Sequence, residues 1–243
     1  MVNITFTWDD GAVEDIKLMK IAIKHNIPSL FFIPATNSER NVMPGQSIKA
    51  IAENNFEIGA HTYSHSYLTT LPLKKAHEEI LNGKFFLEQL LGKEIPHFCF
   101  PGGHYNPDLI DITKEYFKTA RTADTGVLVN ENSFIIRPTF QFYDRGKKSL
   151  IYHSFKSFSE LSGLTIKNLF STGYFNFVKD IIWDLNDRLG AHRIIIWGHS
   201  WEIEENNLWD ILEDFFIWLN NKIPNSLKSY SDLIGCETSQ SLS

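Results

Sequence analysis

Two kinds of hydrophobic spacing alternate along the chain. Short apolar runs rich in β-branched and aromatic residues predict strands at residues 2–8, 29–33, 57–60, 97–100, 119–122 and 194–197. Between them, apolar residues recur near helical spacing and predict helices at 12–25, 46–54, 74–91, 106–117, 174–189 and about 207–220. The stretch 130–170 is less regular, with strand-like runs at 134–136 and 150–153.

The repeated order of strand and then helix predicts an α/β fold in which helices cover a parallel sheet. No Pro/Gly/Ser-rich linker, internal repeat or low-complexity tract divides the chain, so residues 1–243 are interpreted as a single domain. The spacing does not distinguish a closed barrel from an open, doubly wound sheet.

Composition excludes several classes of protein. Apolar residues make up 43% and charged residues 21%, which is typical of a globular core and not of a disordered chain. A net charge of -6 argues against nucleic acid as the partner. The two cysteines, Cys99 and Cys236, make no disulfide framework. No apolar run is long enough to span a bilayer, and no secretion signal is visible at the N-terminus, so we expect a cytoplasmic protein whose oligomeric state is open.

Polar residues that could perform chemistry follow the predicted strands. Asp9 and Asp10 end the first strand, His61 and His65 follow the third, and His199 follows the last. Because the carboxyl ends of parallel strands share one rim, these side chains are expected to meet there.

Asp10, His61 and His65 are candidates for a site with two histidines and one carboxylate. If the 61–65 loop turns helically, its two histidines lie on one face. Such a set suits zinc-assisted hydrolysis or an iron(II) oxygenase. The adjacent Asp9 favours hydrolysis because it could act as a general base, and His199 could then protonate a leaving amine.

Four stretches resemble the motifs of the NodB-type polysaccharide deacetylases, carbohydrate esterase family 4. Residues 7–11, Thr-Trp-Asp-Asp-Gly, resemble the T-F-D-D-G first motif, and residues 61–65, His-Thr-Tyr-Ser-His, resemble H-[ST]-x-x-H. Residues 98–103, Phe-Cys-Phe-Pro-Gly-Gly, are similar to R-x-P-[YF]-G, and His199 resembles the acid histidine of the last motif. Order and spacing agree over residues 2–202.

The resemblance implies a distorted (β/α)7-8 barrel that removes an acetyl group from an N-acetylated sugar of an oligo- or polysaccharide. It implies Asp9 as general base and His199 as general acid. It also implies a divalent metal, usually zinc, on Asp10, His61 and His65. The Gly102 amide would assist the oxyanion, and the rim candidates for contacting the acetylated saccharide are Trp8, His104, Tyr105, Trp201 and Trp209.

The chain departs from the family pattern at three places. Cys99 stands where the family has an arginine beside the base, for which Arg121 or Arg137 could substitute. Gly102 replaces an aromatic residue, and without a recognisable fourth motif Asp144 or Glu202 is left to orient His199. These departures leave open a metal-independent cyclic-amide or other C–N hydrolase, or a catalytically inactive carbohydrate-binding relative.

Overall fold

The computed structural model describes residues 1–129, 133–157 and 159–235. All strand pairs in its eight-stranded sheet are parallel, in the order β6-β5-β4-β3-β2-β1-β8-β7. The strands are β1 (Val2–Trp8), β2 (Ser29–Ile33), β3 (Glu57–Ala60), β4 (His97–Cys99), β5 (Thr119–Arg121), β6 (Ile135–Ile136), β7 (Phe140–Gln141) and β8 (His192–Gly198).

Helices connect most of the strands, as a parallel sheet requires. Particular residues begin or end some of these helices. At the start of α4 the Asn106 side chain accepts a hydrogen bond from the Leu109 amide, and α3 ends at Gly92, whose φ is +66°. The helices are α1 (Asp15–Lys24), α2 (Gly45–Glu53), α3 (Leu73–Leu91), α4 (Pro107–Tyr116), α5 (Lys147–Lys156), α6 (Leu161–Lys167), α7 (Gly173–Asn186), α8 (Ser200–Glu205), α9 (Trp209–Lys222) and α10 (Tyr230–Ile234).

The sheet curls into an open half-barrel, which answers the question that periodicity left open. Its two edge strands, β6 and β7, follow each other in the chain with only residues 137–139 between them. Since an extended chain spans at most about 3.6 Å per residue, this link keeps the two edges within about 14 Å. A flat eight-stranded sheet would be more than twice as wide.

The two faces of the sheet bury different residues. Side chains alternate along β2, so Phe31 and Ile33 join the large core beneath the helices, while Leu30 and Phe32 join a smaller inner cluster. Helix α10 belongs to this inner cluster through Tyr230. Its first amides donate to the carboxylate of Glu57, at the start of β3, which fixes the helix at that end of the sheet.

Four sequence expectations change. Residues 150–153 lie in α5 and not in a strand, because Leu150 and Ser154, one helical turn apart, are both buried. The last long helix runs from 209 to 222 and not from 207 to 220, since Asn207 adopts a left-handed φ of 53°. The short elements β7, α6, α8 and α10 were not predicted, and Cys236 lies outside the described residues. Trp8 is fully buried in the core and is therefore not a rim residue.

None of the helices in the described ranges is long and apolar enough to cross a membrane.

Candidate metal centre and active site

The candidate residues converge at the carboxyl ends of neighbouring strands. Asp9 and Asp10 follow β1, His61 follows β3, and His199 follows β8. The Asp9 amide donates to the Gly198 carbonyl at 3.0 Å, which continues the β1–β8 pairing up to the rim. The sheet therefore fixes the backbone position of Asp9, from which its carboxylate extends into the site.

Asp10, His61 and His65 form a compact set of donor atoms. Oδ1 of Asp10 lies 3.4 Å from His61 Nε2 and 3.0 Å from His65 Nε2. One donor atom from each of the three residues lies within 4.8 Å of the others. Two imidazole nitrogens and one carboxylate oxygen at this spacing match the donor set of a catalytic divalent-metal site, which keeps open positions for water and substrate.

The hydrogen bonds around this set orient the ligands. His61 Nδ1 donates to the Cys99 carbonyl at 2.8 Å, so its Nε2 is left with a lone pair directed at the site. Burial raises the pKa of Asp10, but the contacts with His61 and His65 and the charge of His199 outweigh it and hold the pKa well below its usual range. The carboxylate is therefore ionised, as a ligand must be.

The ligand loops adopt backbone conformations that L-residues rarely use. Asp10, Thr62 and His65 have φ values of 79°, 66° and 58°. Residues 62–64 form a turn and not the helical turn considered from the spacing, yet both histidines still face Asp10. Left-handed residues cost about 1 kcal/mol each, and such strain tends to cluster at functional sites.

Arg121 supports Asp9 in this chain, in which Cys99 stands where the family motif has an arginine. From β5 its Nη2 donates to both carboxylate oxygens of Asp9, and its Nη1 donates to the Thr122 carbonyl at 2.8 Å. Nη2 also lies 3.0 Å from Cys99 Sγ, so the small cysteine leaves room for this guanidinium. Burial lowers the pKa of Arg121, but the Asp9 charge outweighs it, and the net shift is upward. Arg137 instead donates to Ser157 at 3.2 Å.

His199 is held by a carboxylate of its own. Its Nδ1 lies 2.6 Å from Glu202 Oε2, which also accepts from Gln141 at 3.3 Å. Its Nε2 lies 3.8 Å from Asp10 Oδ2. Burial lowers the pKa of His199, but the hydrogen bond with Glu202 and the charge of Asp10 outweigh it and raise the pKa above its usual value. The other candidate, Asp144, accepts from Gly146 instead.

Trp201 contacts the metal-ligand set directly. Its Nε1 donates to Asp10 Oδ2 at 2.8 Å, and its ring stacks on His199 with 4.9 Å between centroids. The Arg40 guanidinium lies 3.4 Å from the ring centroid and pairs with Glu205 at 2.7 Å. Because His199 and Arg40 both stack on the Trp201 ring, the ring packs within the site and is not an uncovered surface for stacking a sugar. Arg40 has no motif around it in the sequence and was missed.

A family model described as polysaccharide deacetylase matches residues 2–120, which carry Asp9, Asp10, His61 and His65. This part of the chain belongs to the polysaccharide deacetylase family.

Two curated relatives each match just under half of this chain. A peptidoglycan-N-acetylglucosamine deacetylase of Bacillus cereus is 29% identical over 114 residues, which cover 46% of this chain and 52% of the relative. The uncharacterized protein YlxY of Bacillus subtilis is 30% identical over 112 residues, which cover 46% of this chain and 34% of the relative. The matched part thus spans about a third to a half of each relative.

The fold is shared with a solved structure over most of both chains. A crystal structure from Mycobacterium smegmatis, ascribed to the polysaccharide deacetylases, superimposes with a TM-score of 0.62. The match covers 96% of this chain and 89% of that one at 14% identity. At this identity the likeness shows the fold.

The two remaining predicted substrate residues lie in or beside one turn. Gly102 adopts a φ of 62°, and a Cβ there would lie 2.8 Å from the Tyr67 ring, so the turn favours glycine beside that ring. Tyr105 stacks on Phe100 at 5.5 Å and packs against the core. Tyr67, half exposed on the other side of Gly102, is an aromatic rim residue that the sequence analysis did not select. The roles of Gly102 and Tyr105 stay predictions.

Proposed function

We propose that the chain is a metal-dependent deacetylase that hydrolyses the acetamide bond of an N-acetylated sugar in an oligo- or polysaccharide. One observation carries the proposal: an Arg-held Asp9 and a Glu-held His199 flank the donor set of Asp10, His61 and His65. A base, an acid and a metal set around one point are the parts that amide hydrolysis needs.

The donor set would hold a divalent cation, for which we propose zinc. Two neutral imidazoles and one carboxylate are typical of zinc sites, and His61 has the second hydrogen bond that zinc-binding histidines usually make. When bound, the ion would act as a Lewis acid on the acetyl oxygen and would lower the pKa of a water molecule toward ~7.

Asp9 is placed to take the proton of the attacking water. Its carboxylate is buried, with 4% of the residue exposed, and Arg121 holds both oxygens in one orientation. A fixed carboxylate does not have to reorganise when the water attacks, which is the advantage of a preorganised site. Arg121 acts through Asp9 and is a positioning residue.

His199 is placed to give a proton to the leaving amine. Because Glu202 occupies Nδ1, the proton to be transferred lies on Nε2, the nitrogen that faces Asp10 and the donor set. The hydrogen bond with Glu202 and the charge of Asp10 raise the pKa of His199 and so favour the protonated imidazole, the form that a general acid requires. The product is an amino sugar and acetate.

Metal loading and acetate release from N-acetylated chitooligosaccharides test this proposal. We expect activity that a chelator abolishes and zinc restores, and a loss of at least a hundredfold in Asp9→Asn with unchanged zinc binding. His61→Ala should lose both zinc and activity. Full activity in Asp9→Asn would show that Asp9 is not the general base. Chelator-resistant activity would favour the metal-independent C–N hydrolase, and tight oligosaccharide binding without acetate release would favour the inactive carbohydrate-binding relative.

A further inference from the structure

Helices α5 and α6 form a hairpin on the rim that supports His199. Strand β7 ends at Gln141, whose side chain donates to Glu202, and α5 begins at Lys147. Helix α7 packs on the same place, since the Tyr174 hydroxyl donates to the Gln141 carbonyl at 2.9 Å. The hairpin is therefore anchored beside the catalytic mouth.

Hydrogen bonds at both ends place α6 antiparallel to α5. Near the end of α5, Ser162 Oγ donates to the Ser154 carbonyl at 3.1 Å. At its start, Lys147 Nζ donates to the carbonyls of Leu169 and Ser171, at 2.7 and 2.8 Å. The two helices and the turn that follows α6 therefore form one hairpin, whose exposed residues lie on the surface of the protein.

Several of the exposed residues of this hairpin are large and apolar. Positions 148, 152 and 155 of α5 share one helical face by their spacing. Five large apolar side chains of the hairpin are exposed, and together we call them the α5–α6 patch. They are Tyr152, Phe155, Ile166, Leu169 and Phe170, which are 61%, 46%, 56%, 40% and 93% exposed. Single exposed apolar residues are ordinary, but a cluster of five on one hairpin marks an interaction surface.

The segment that carries the patch is basic in sequence, whereas the whole chain is acidic. Between residues 145 and 170 there are five Lys and Arg residues and one acidic residue, Glu160, whereas the net charge of the chain is -6. Lys147 donates to the carbonyls of Leu169 and Ser171, and Lys167 pairs with Asp184 at 2.6 Å. Lys148 and Lys156 make no ion pair within the described part of the chain.

We propose that the α5–α6 patch docks the chain on an anionic lipid surface, beside which the catalytic rim then lies. Aromatic and aliphatic side chains surrounded by lysines are the combination that inserts at the boundary of headgroups and acyl chains. The lysines add attraction to anionic headgroups, about fivefold in partitioning for each one near the surface. Aliphatic Ile166 and Leu169 favour lipid over a polysaccharide, on which aromatic rings alone would stack.

Vesicle co-sedimentation of the full chain tests the proposal. We expect binding to phosphatidylglycerol–phosphatidylcholine vesicles that weakens with salt, and little binding to pure phosphatidylcholine. Phe155→Ser/Phe170→Ser should bind at least tenfold more weakly. Phe85→Ser, at a 56% exposed site on α3, is the matched control and should bind as the parent does.

A second pair of variants separates local charge from net charge. Lys148→Gln/Lys156→Gln should weaken binding about 25-fold, whereas Lys20→Gln/Lys74→Gln, with the same net charge, should not. Equal binding by the two pairs, or no binding of the parent to anionic vesicles, overturns the proposal. A dimer, or binding to insoluble chitin, that is lost only in Phe155→Ser/Phe170→Ser would also overturn it, since the patch would then serve another partner.

The proposed catalytic function is measured separately in the same variants. Acetate release from soluble chitooligosaccharides should be unchanged in all of them, because none touches the metal-ligand set. Failure of vesicle binding therefore leaves the deacetylase proposal standing, and failure of deacetylation leaves the docking proposal standing.

Discussion

The indole of Trp201 donates to Oδ2 of Asp10 at 2.8 Å, while His61 and His65 face the other oxygen, Oδ1. The hydrogen bond fixes how the carboxylate is rotated and leaves one oxygen for the ion. Ligand-orienting groups of this kind usually affect metal affinity by about 10- to 100-fold.

Trp201→Phe should therefore lower zinc affinity at least about tenfold while its ring still stacks on His199. Competition with a chromophoric chelator measures this without any substrate. Trp209→Phe, which removes an indole hydrogen bond to the exposed Glu204, is the matched control and should bind zinc normally. An unchanged affinity in Trp201→Phe would show that the indole does not position the ligand.

Arg121→Ala should destabilise the fold and reduce activity. It leaves Asp9 buried without its cation, which typically costs about 3–5 kcal/mol. Urea unfolding and acetate release measure the two effects.

A second substitution tests whether the position of the arginine matters. In Cys99→Arg/Arg121→Ala the guanidinium enters from β4, where the family motif has it, and we expect partial recovery of both stability and activity. If the double variant is no better than Arg121→Ala, support of Asp9 requires the β5 position.

Glu202→Gln should move the alkaline limb of the pH profile for kcat toward lower pH. Glu202 helps to raise the pKa of His199, so removing its charge lowers that pKa. The acid form of His199 is then lost earlier as pH rises. His199→Asn should remove the limb together with most of the activity, and an unshifted limb in Glu202→Gln would assign the limb to another group.

His97 should make the fold sensitive to acid. Burial, and then the charges of Lys118 and Lys84, lower its pKa to about 3, and both ring nitrogens bond to hydroxyls, of Thr119 and Ser231. The unfolded chain binds this proton near pH 6.5 and the folded chain does not, so stability is fully present above pH 6.5 and falls as the pH drops toward 3. Between pH 7 and 5 the loss is about 2 kcal/mol.

Urea unfolding at the two pH values checks this effect in the parent and in His97→Gln. The variant should be less stable at pH 7 but should lose less stability on acidification. Parallel losses in the two proteins would mean that another group binds the proton.

Most strands could be predicted because their apolar runs are dense, and the metal ligands because strand ends in a parallel sheet share a rim. The sequence patterns were not sufficient where contacts between distant residues determine the structure. Leu150–His153 looks like a strand until Leu150 and Ser154 are seen to share a buried helical face. The sequence offered Arg121 and Arg137 equally as partners of Asp9, and only the β4–β5 register, which places Arg121 beside Cys99, decides between them.

The short link between β6 and β7 has a consequence for how the site tolerates change. Ile136 pairs with Arg121, which holds Asp9, and Gln141 five residues later contacts Glu202, which holds His199. One short stretch of backbone therefore sets the distance between the groups that hold the proposed base and the proposed acid. An inserted or deleted residue at 137–139 would change that spacing directly, so length there is under tighter constraint than side-chain identity.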